Sequence, residues 1–428
     1  MDKINAEKIL YALKNGVVPN VNLDILCVGR DNELKEFDRC MDFVENGNGV
    51  IKFITGNYGS GKSFLLNVIK QNALNRNFIV AKIQIDKSLK FNKLEQVYYN
   101  IMSNLSITNS KTDGTSFEDI FNIWTNNLKN IYDNKKAGEI INNVIEEVSN
   151  YSSSFAVVFK NFIKAKVNKD MDLNYAISAW IKGEKNIPAS VKSKFGVKSD
   201  IDKDNALQIL RAFTKLIKLL GYAGIIILVD EMELIVNERK DIRRNSYENI
   251  RMLMDMSSEG ELRNIMFVFA GTNELFENEE KGIKTYAALH NRLKNSHEML
   301  NKTYRDLRQP VIKIGGLYID DIKELTEKII GIHSFVYNWQ IPSNRETIEK
   351  YVKLSCSKFG DDISQTNSRE YLKKLVDILD IMEQNPGVDL LLEEVNSLIK
   401  VKEKIDEEEE AYNLDIDDYD IEDEIIEL

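Results

Sequence analysis

The ten residues from Thr55 to Phe64, TGNYGSGKSF, are of the types that can hold a phosphate. Gly56 is followed, after a four-residue spacer, by Gly61, Lys62 and Ser63. Gly56, Gly59 and Gly61 let a backbone fold around an anion with its N–H groups pointing inward. Lys62 sets a charge against the outer phosphates, and the Ser63 hydroxyl can ligate a Mg2+ that bridges them. Asn57, Tyr58, Ser60 and Phe64 complete the stretch expected to touch the nucleotide. VIKFIT before the loop reads as a buried strand. SFLLNVIKQNALN after it spaces Phe64, Leu65, Val68, Ile69 and Leu74 as a helix does. Strand, glycine loop and helix together place the positive end of a helix beneath phosphates. The competing reading is a chance glycine turn in front of a helix. A nucleoside triphosphate is the ligand this pattern predicts.

Hydrolysis needs more than a phosphate cradle, and IIILVDEMEL supplies candidates. An apolar strand would deliver Asp230 to its carboxyl end, where open α/β sheets place their ligands. Asp230 would hold Mg2+ through its waters, and Glu231 would polarise the attacking water. The alternative is an acidic pair that caps the next helix. Glu233 lies close by with its role open. NIMFVFAGT ends in Thr272 and Asn273, either of which could hydrogen-bond the γ-phosphate or the water, or simply close a turn. Arginines are the remaining charge carriers. Arg369 begins a helix in SREYLKKL and could reach phosphates from a lid, while Arg292, Arg305 and Arg308 are candidates for a finger into a neighbouring subunit. A solvated or salt-bridged arginine is the plain alternative for each. Arg30, in CVGRDNE, is read either as organising the entrance to an adenine pocket or as a structural salt bridge.

The elements that must position these residues follow from apolar periodicity. Strands are expected at 50–55, 78–85, 225–229, 264–272 and 311–317, separated by helices, which argues for a three-layer α/β sandwich followed by a smaller helical domain. About 135 residues part the second strand from the third, far more than an ordinary crossover. Residues 88–204 therefore read as a helical insertion. The division expected is 1–87 and 205–317 for the two parts of the core, 318–402 for a helical domain and 403–428 for an acidic tail. KGEKNIPASVKSKFGVKSD (182–200) reads as a basic, mobile loop, either exposed or touching nucleic acid.

With 428 residues, 43% hydrophobic and 29% charged, the chain has enough apolar material for two or three domains. No apolar run approaches a membrane span, and MDKINAEKILYALKNG does not read as a secretory signal. Cys27, Cys40 and Cys356 are scattered and read as thiols in a reducing cytoplasm. The net charge of −11 is uneven: residues 403–428 hold 14 acidic side chains against one lysine. The rest is near neutral, which excludes a protein-wide basic footprint but leaves room for a local nucleic-acid patch. The tail reads as a solvated or partner-docking segment. Three histidines and no metal motif argue against an independent nuclease.

Taken together, GVVPNVNLDILCVGRDNEL, KFITGNYGSGKSFLL, VDEMEL, FAGTNELF, YAALHNRL and SREYLKKLVDILDIMEQNP resemble AAA+ ATPases of the replication-initiator kind. More closely they resemble the ATP-binding proteins of BREX phage-exclusion systems, the BrxD family. The resemblance covers most of residues 5–386. It implies ATP with Mg2+, a five-stranded parallel sheet in the order 5-1-4-3-2, a helical lid, and oligomerisation. It also implies work in antiviral defence on DNA or with a DNA-acting partner such as a helicase. It puts Thr272 at the sensor position, with Asn273 where proline is common, and matches Arg369 to a lid arginine. A winged-helix domain after the lid is not evident. The rival functions are a signal-transducing NTPase, whose insertion senses a trigger, and an ATP-dependent scaffold, against which Glu231 argues.

Overall fold

A computed structural model describes residues 1–108, 115–294, 306–357 and 368–400. Arg305 and the acidic tail lie outside the described residues. The chain divides into two units, Arg30–Ile314, and Met1–Gly29 together with Gly315–Leu428.

Arg30–Ile314 is built on one sheet. Its strands are β1 (Gly49–Thr55), β2 (Ile79–Gln84), β3 (Leu105–Ser106), β4 (Ile225–Asp230), β5 (Ile265–Gly271) and β6 (Val311–Lys313). They lie in the order β3-β2-β4-β5-β1-β6, with every neighbouring pair parallel except β2 and β3. The sheet holds one strand more than the five parallel strands expected. The sixth, β3, is a two-residue antiparallel edge inside the stretch read as helical, pairing Leu105 with Ala81 and Ser106 with Val80. A pairing this short has no periodicity to read.

Residues alternate between the two faces along each strand, and both faces are covered. Ile54, Val80, Ile226, Leu228, Met266 and Val268 pack with Phe37, Met41, Leu65 and Ile69 of helices Asp31–Glu45 and Lys62–Asn75. Phe53, Ile227, Val229, Ile265, Phe267 and Phe269 belong to the opposite core. That core takes in helices Ala206–Leu219 and Lys240–Ser258 and the helices between β3 and β4. Burial on both faces explains why β4 and β5 are continuous apolar runs rather than alternating ones.

Between β3 and helix Ala206–Leu219, which leads into β4, lie the helices Phe117–Ile131, Asn134–Ser149, Ser153–Val167, Met171–Lys182 and Ala189–Lys194. Ser116 and Asp119 form a reciprocal capping box at the first, satisfying two N–H groups that a helix start leaves open. Phe117, Phe121, Phe159 and Phe162 meet edge-on with ring centroids 5.0–6.2 Å apart. The stretch 182–200 is not the mobile loop expected from its composition. It folds into Ala189–Lys194, buries Phe195 and Val197, and pairs Lys192 with Asp200 at 2.8 Å. Trp180 donates to the Ser199 carbonyl from within the core.

The second unit is helical: Lys3–Lys14, Leu23–Leu26, Ile319–Tyr337, Arg345–Ser357, Ser368–Gln384 and a helical run over 390–400. Residues 1–29, read in the sequence with the first part of the core, pack in this unit, where Lys3–Lys14 lies against Ile319–Tyr337 and Ser368–Gln384. His333 is fully buried, accepts from Trp339 Nε1 at Nδ1 (2.8 Å) and donates from Nε2 to Asp380 (3.1 Å). Burial lowers its pKa below the ordinary value, so the neutral ring is favoured. Lys14 also pairs with Asp380. Among the described residues no helix is long and apolar enough to cross a membrane.

Candidate functional site

The sheet order sets the site. Because β5 lies between β4 and β1, and Thr55 is in register with Gly271, three strand ends open side by side. Thr55 leads into the glycine loop, Asp230 closes β4, and Thr272 and Asn273 follow β5.

The loop is shaped by its glycines. Gly59 and Gly61 have φ of 81° and 90°, a left-handed conformation that side chains with a Cβ adopt at a cost. At Gly56 a Cβ would lie 2.6 Å from the Ile314 carbonyl and 2.7 Å from Ser60 Oγ, so only glycine fits. Ser60 Oγ is buried with no hydrogen-bond partner. Lys62 begins helix Lys62–Asn75 and donates to the carbonyls of Gly56 and Asn57, both at 3.1 Å. Ser63 follows on the same first turn. Phe64 is half-buried there, and Tyr58 is exposed at the tip. Arg30 donates to the Ser60 carbonyl at 3.1 Å and lies 4.0 Å from Glu33. It therefore grips the loop and also has the structural pair.

Three carboxylates act on Lys62 electrostatically. Burial lowers its pKa, and Glu233, Asp230 and Glu231 oppose that shift in this order. Asp230 is buried, and its Oδ1 accepts from the Glu231 N–H at 3.1 Å. Glu231 has φ 60° and ψ 37°, left-handed for a non-glycine residue, at the start of the 3-10 turn Met232–Asn237. Such strain clusters where a site demands it. Glu233 accepts from the Thr272 N–H at 3.3 Å, and its pKa is raised, first by burial and then by the Glu231 charge. Asn273 accepts from Thr55 Oγ1 at 3.0 Å and donates to Asn57 Oδ1 at 2.8 Å, tying the end of β5 to the glycine loop.

A family model described as "BREX system ATP-binding protein BrxC/D" matches residues 1–395. The chain belongs to that family. A search of curated proteins found no match. As a BREX system ATP-binding protein, the chain must offer a triphosphate a cradle, and the glycine loop has the features of one. The Cβ-intolerant Gly56, the unpartnered Ser60 hydroxyl and the buried Lys62 all suit an anion. Ser63 and Asp230 are the oxygen donors suited to Mg2+, which takes few protein ligands and completes its shell with phosphates and water.

Two residues of this BREX family member went unassigned from sequence. Lys82 on β2 lies 3.9 Å from Asp230 and donates to Asn67 at 2.5 Å, with its pKa lowered mainly by burial. The visible signal was a lone cation in the apolar run FIVAKIQI. Glu233 stands close to the acidic pair in the sequence, but its burial is not readable from spacing. The candidate arginines divide. Arg292 forms a two-pronged pair with Asp255, Nε–Oδ1 2.6 Å and Nη2–Oδ2 3.1 Å, and Asp255 also binds Arg251. Arg308 offers its carbonyl to Lys52 at 3.0 Å. Arg369 belongs to the helical unit, exposed at the start of Ser368–Gln384, with its side chain beside Gly16. Cys40 and Cys356 are buried with thiol pKa values raised by that burial, to about 12 for Cys40, so neither is a reactive nucleophile.

Proposed function

We propose that this BREX family member is an AAA+ ATPase with a P-loop three-layer core, hydrolysing ATP with Mg2+ as a switch or remodeller in phage defence. The observation that carries the reading is that the glycine loop with its buried Lys62, the Asp230–Glu231 end of β4 and Thr272 after β5 open side by side at adjoining strand ends. Lys62 and the loop amides from Gly56 to Ser63 bind the phosphates, with Phe64 behind them. Ser63 and Asp230 would hold Mg2+, which when bound neutralises phosphate charge. Glu231 orients and polarises the attacking water, and its strained backbone supports that role. Thr272, held through its N–H by Glu233, is the sensor, and Asn273 fixes the loop against β5. Arg369 is the lid arginine. Arg292 serves a neighbouring subunit only if it leaves Asp255. The partner in this reading is a helicase or DNA-modifying protein, with assembly into a homo-oligomer in the cytoplasm.

The test is ATP binding by titration calorimetry. Lys62→Ala removes the charge opposite the outer phosphates and should abolish measurable binding. Unchanged affinity would remove the loop from the account. A second reading, a signal-transducing NTPase, is favoured by the capped helices and aromatic core of residues 115–204, which suit a sensor body better than a tether. DNA-stimulated turnover supports the first reading, and slow turnover released by a protein trigger supports the second.

A further inference from the structure

At the amino ends of the strands, opposite the glycine loop, a solvent-open cleft of about 380 Å³ carries a concentration of cations that the proposed hydrolysis does not use. Arg211, Lys215 and Lys218 come from helix Ala206–Leu219, and Arg263 comes from the turn before β5. The three helix residues are spaced i, i+4 and i+7 and so share one face, spanning about 10 Å along the axis. Glu261 is the one carboxylate in the lining. The length of β1 separates this cleft from the loop by roughly 20 Å.

The cations are incompletely neutralised. Arg211 pairs with Glu261 at 3.1 Å and Lys215 with Glu147 at 3.0 Å, both half-exposed pairs of the weak, exchangeable kind. Lys218 donates to the carbonyls of Glu45 and Ala223, and Arg263 to that of Gly260. A carbonyl satisfies a donor without cancelling its charge. Arg211 Nε is buried with no hydrogen-bond partner. Gly47 and Gly260 line the same cleft, and nothing lies within 4 Å of a Cβ built on either, so a ligand can approach their backbone closely. Tyr151 adds an aromatic ring to a lining otherwise polar.

We infer that this cleft binds the phosphodiester backbone of single-stranded nucleic acid. A small apolar ligand does not suit walls made of charged and amide side chains. A phosphate strand does: its charges recur along its length as the cations of the helix face do, and those cations with Arg263 can meet roughly three of them. Arginine forks match phosphate oxygens, and the half-buried Tyr151 of the lining offers a base an aromatic contact whatever its identity. The site gives the DNA-directed side of the proposed function a surface, but it rests on none of the ATP-site residues.

The experiment is fluorescence anisotropy of the full chain with a labelled oligothymidylate of about 20 nucleotides, at about 50 and 200 mM salt. Three neutralised phosphates predict a roughly 20-fold loss of affinity across that range. Lys215→Ala, Lys218→Ala and Arg263→Ala combined should remove most of the salt dependence while leaving ATP affinity at the parental value. That separates failure here from failure of the ATP site. Because the combined variant could misfold, the exposed Arg263→Gln alone is measured too, and should lower the slope of log K against log salt by about 0.7. Absence of binding to the oligonucleotide overturns the inference. So does binding with the parental slope in the folded variants, or binding of a polyglutamate peptide in place of the oligonucleotide.

Discussion

Glu231 adopts a left-handed backbone that costs a residue with a Cβ about 1–2 kcal/mol. The strain has a direct test. Glu231→Gly and Glu231→Ala both delete the carboxylate and should lose turnover alike. Relief of strain, less the extra freedom glycine gains when unfolded, should leave the glycine variant about 0.5–1 kcal/mol more stable by urea denaturation. Equal midpoints would mean that the backbone at this position is relaxed. The types and spacing of Gly56, Gly61, Lys62, Ser63, Asp230 and Glu231 made their candidacy legible in the sequence, because phosphate chemistry restricts both. Lys82 and Glu233 were not, because what marks them is burial and neighbours brought in from other strands. Arg292 illustrates the opposite difficulty. A cation in the right interval of sequence is found gripping Asp255 of its own chain.

At the level of elements, the apolar runs gave away β1, β2, β4 and β5, and helical spacing gave away most helices. β3 escaped because a two-residue edge has no pattern. The packing of 182–200 escaped because Phe195 and Val197 are too few, among lysines, serines and glycines, to set a period. How β6 is approached was equally hidden. Buried Lys52 on β1 binds Glu36 at 2.8 Å and the carbonyls of Leu307, Arg308 and Gln309. Burial pushes the Glu36 carboxyl up, but hydrogen bonds from Arg39 and Lys52 outweigh it and hold the pKa at about 2 rather than 4.5. The unfolded chain therefore binds more protons between those values. This contribution is complete above about pH 4.5 and is lost as pH falls toward 2. Its size is on the order of 2–3 kcal/mol, reduced by the half-exposure of Arg39. The melting temperature of the parent should fall between pH 5 and 3 more steeply than that of Glu36→Gln, by about the span of this one group. Parallel curves would show that Glu36 is not held ionised by this cluster.

Across the whole molecule, the family assignment covers residues from both units, so the glycine loop of Arg30–Ile314 and the helices of the other unit belong to one family architecture. Arg369 is the residue through which the helical unit would take part. Arg369→Ala should slow turnover by tenfold or so, about 1.4 kcal/mol in the barrier, while weakening ATP binding less than Lys62→Ala does. Parental turnover would make it a surface arginine. The central claim, that this family member hydrolyses the ATP it binds and does so through Glu231, is tested most directly by one paired measurement. Phosphate release and ATP affinity are compared between the parent and Glu231→Gln, with Mg2+ present. The account predicts parental affinity with turnover lower by at least a hundredfold, since the loop and Asp230 are untouched while the water loses its carboxylate. Phosphate release at the parental rate from Glu231→Gln would contradict it.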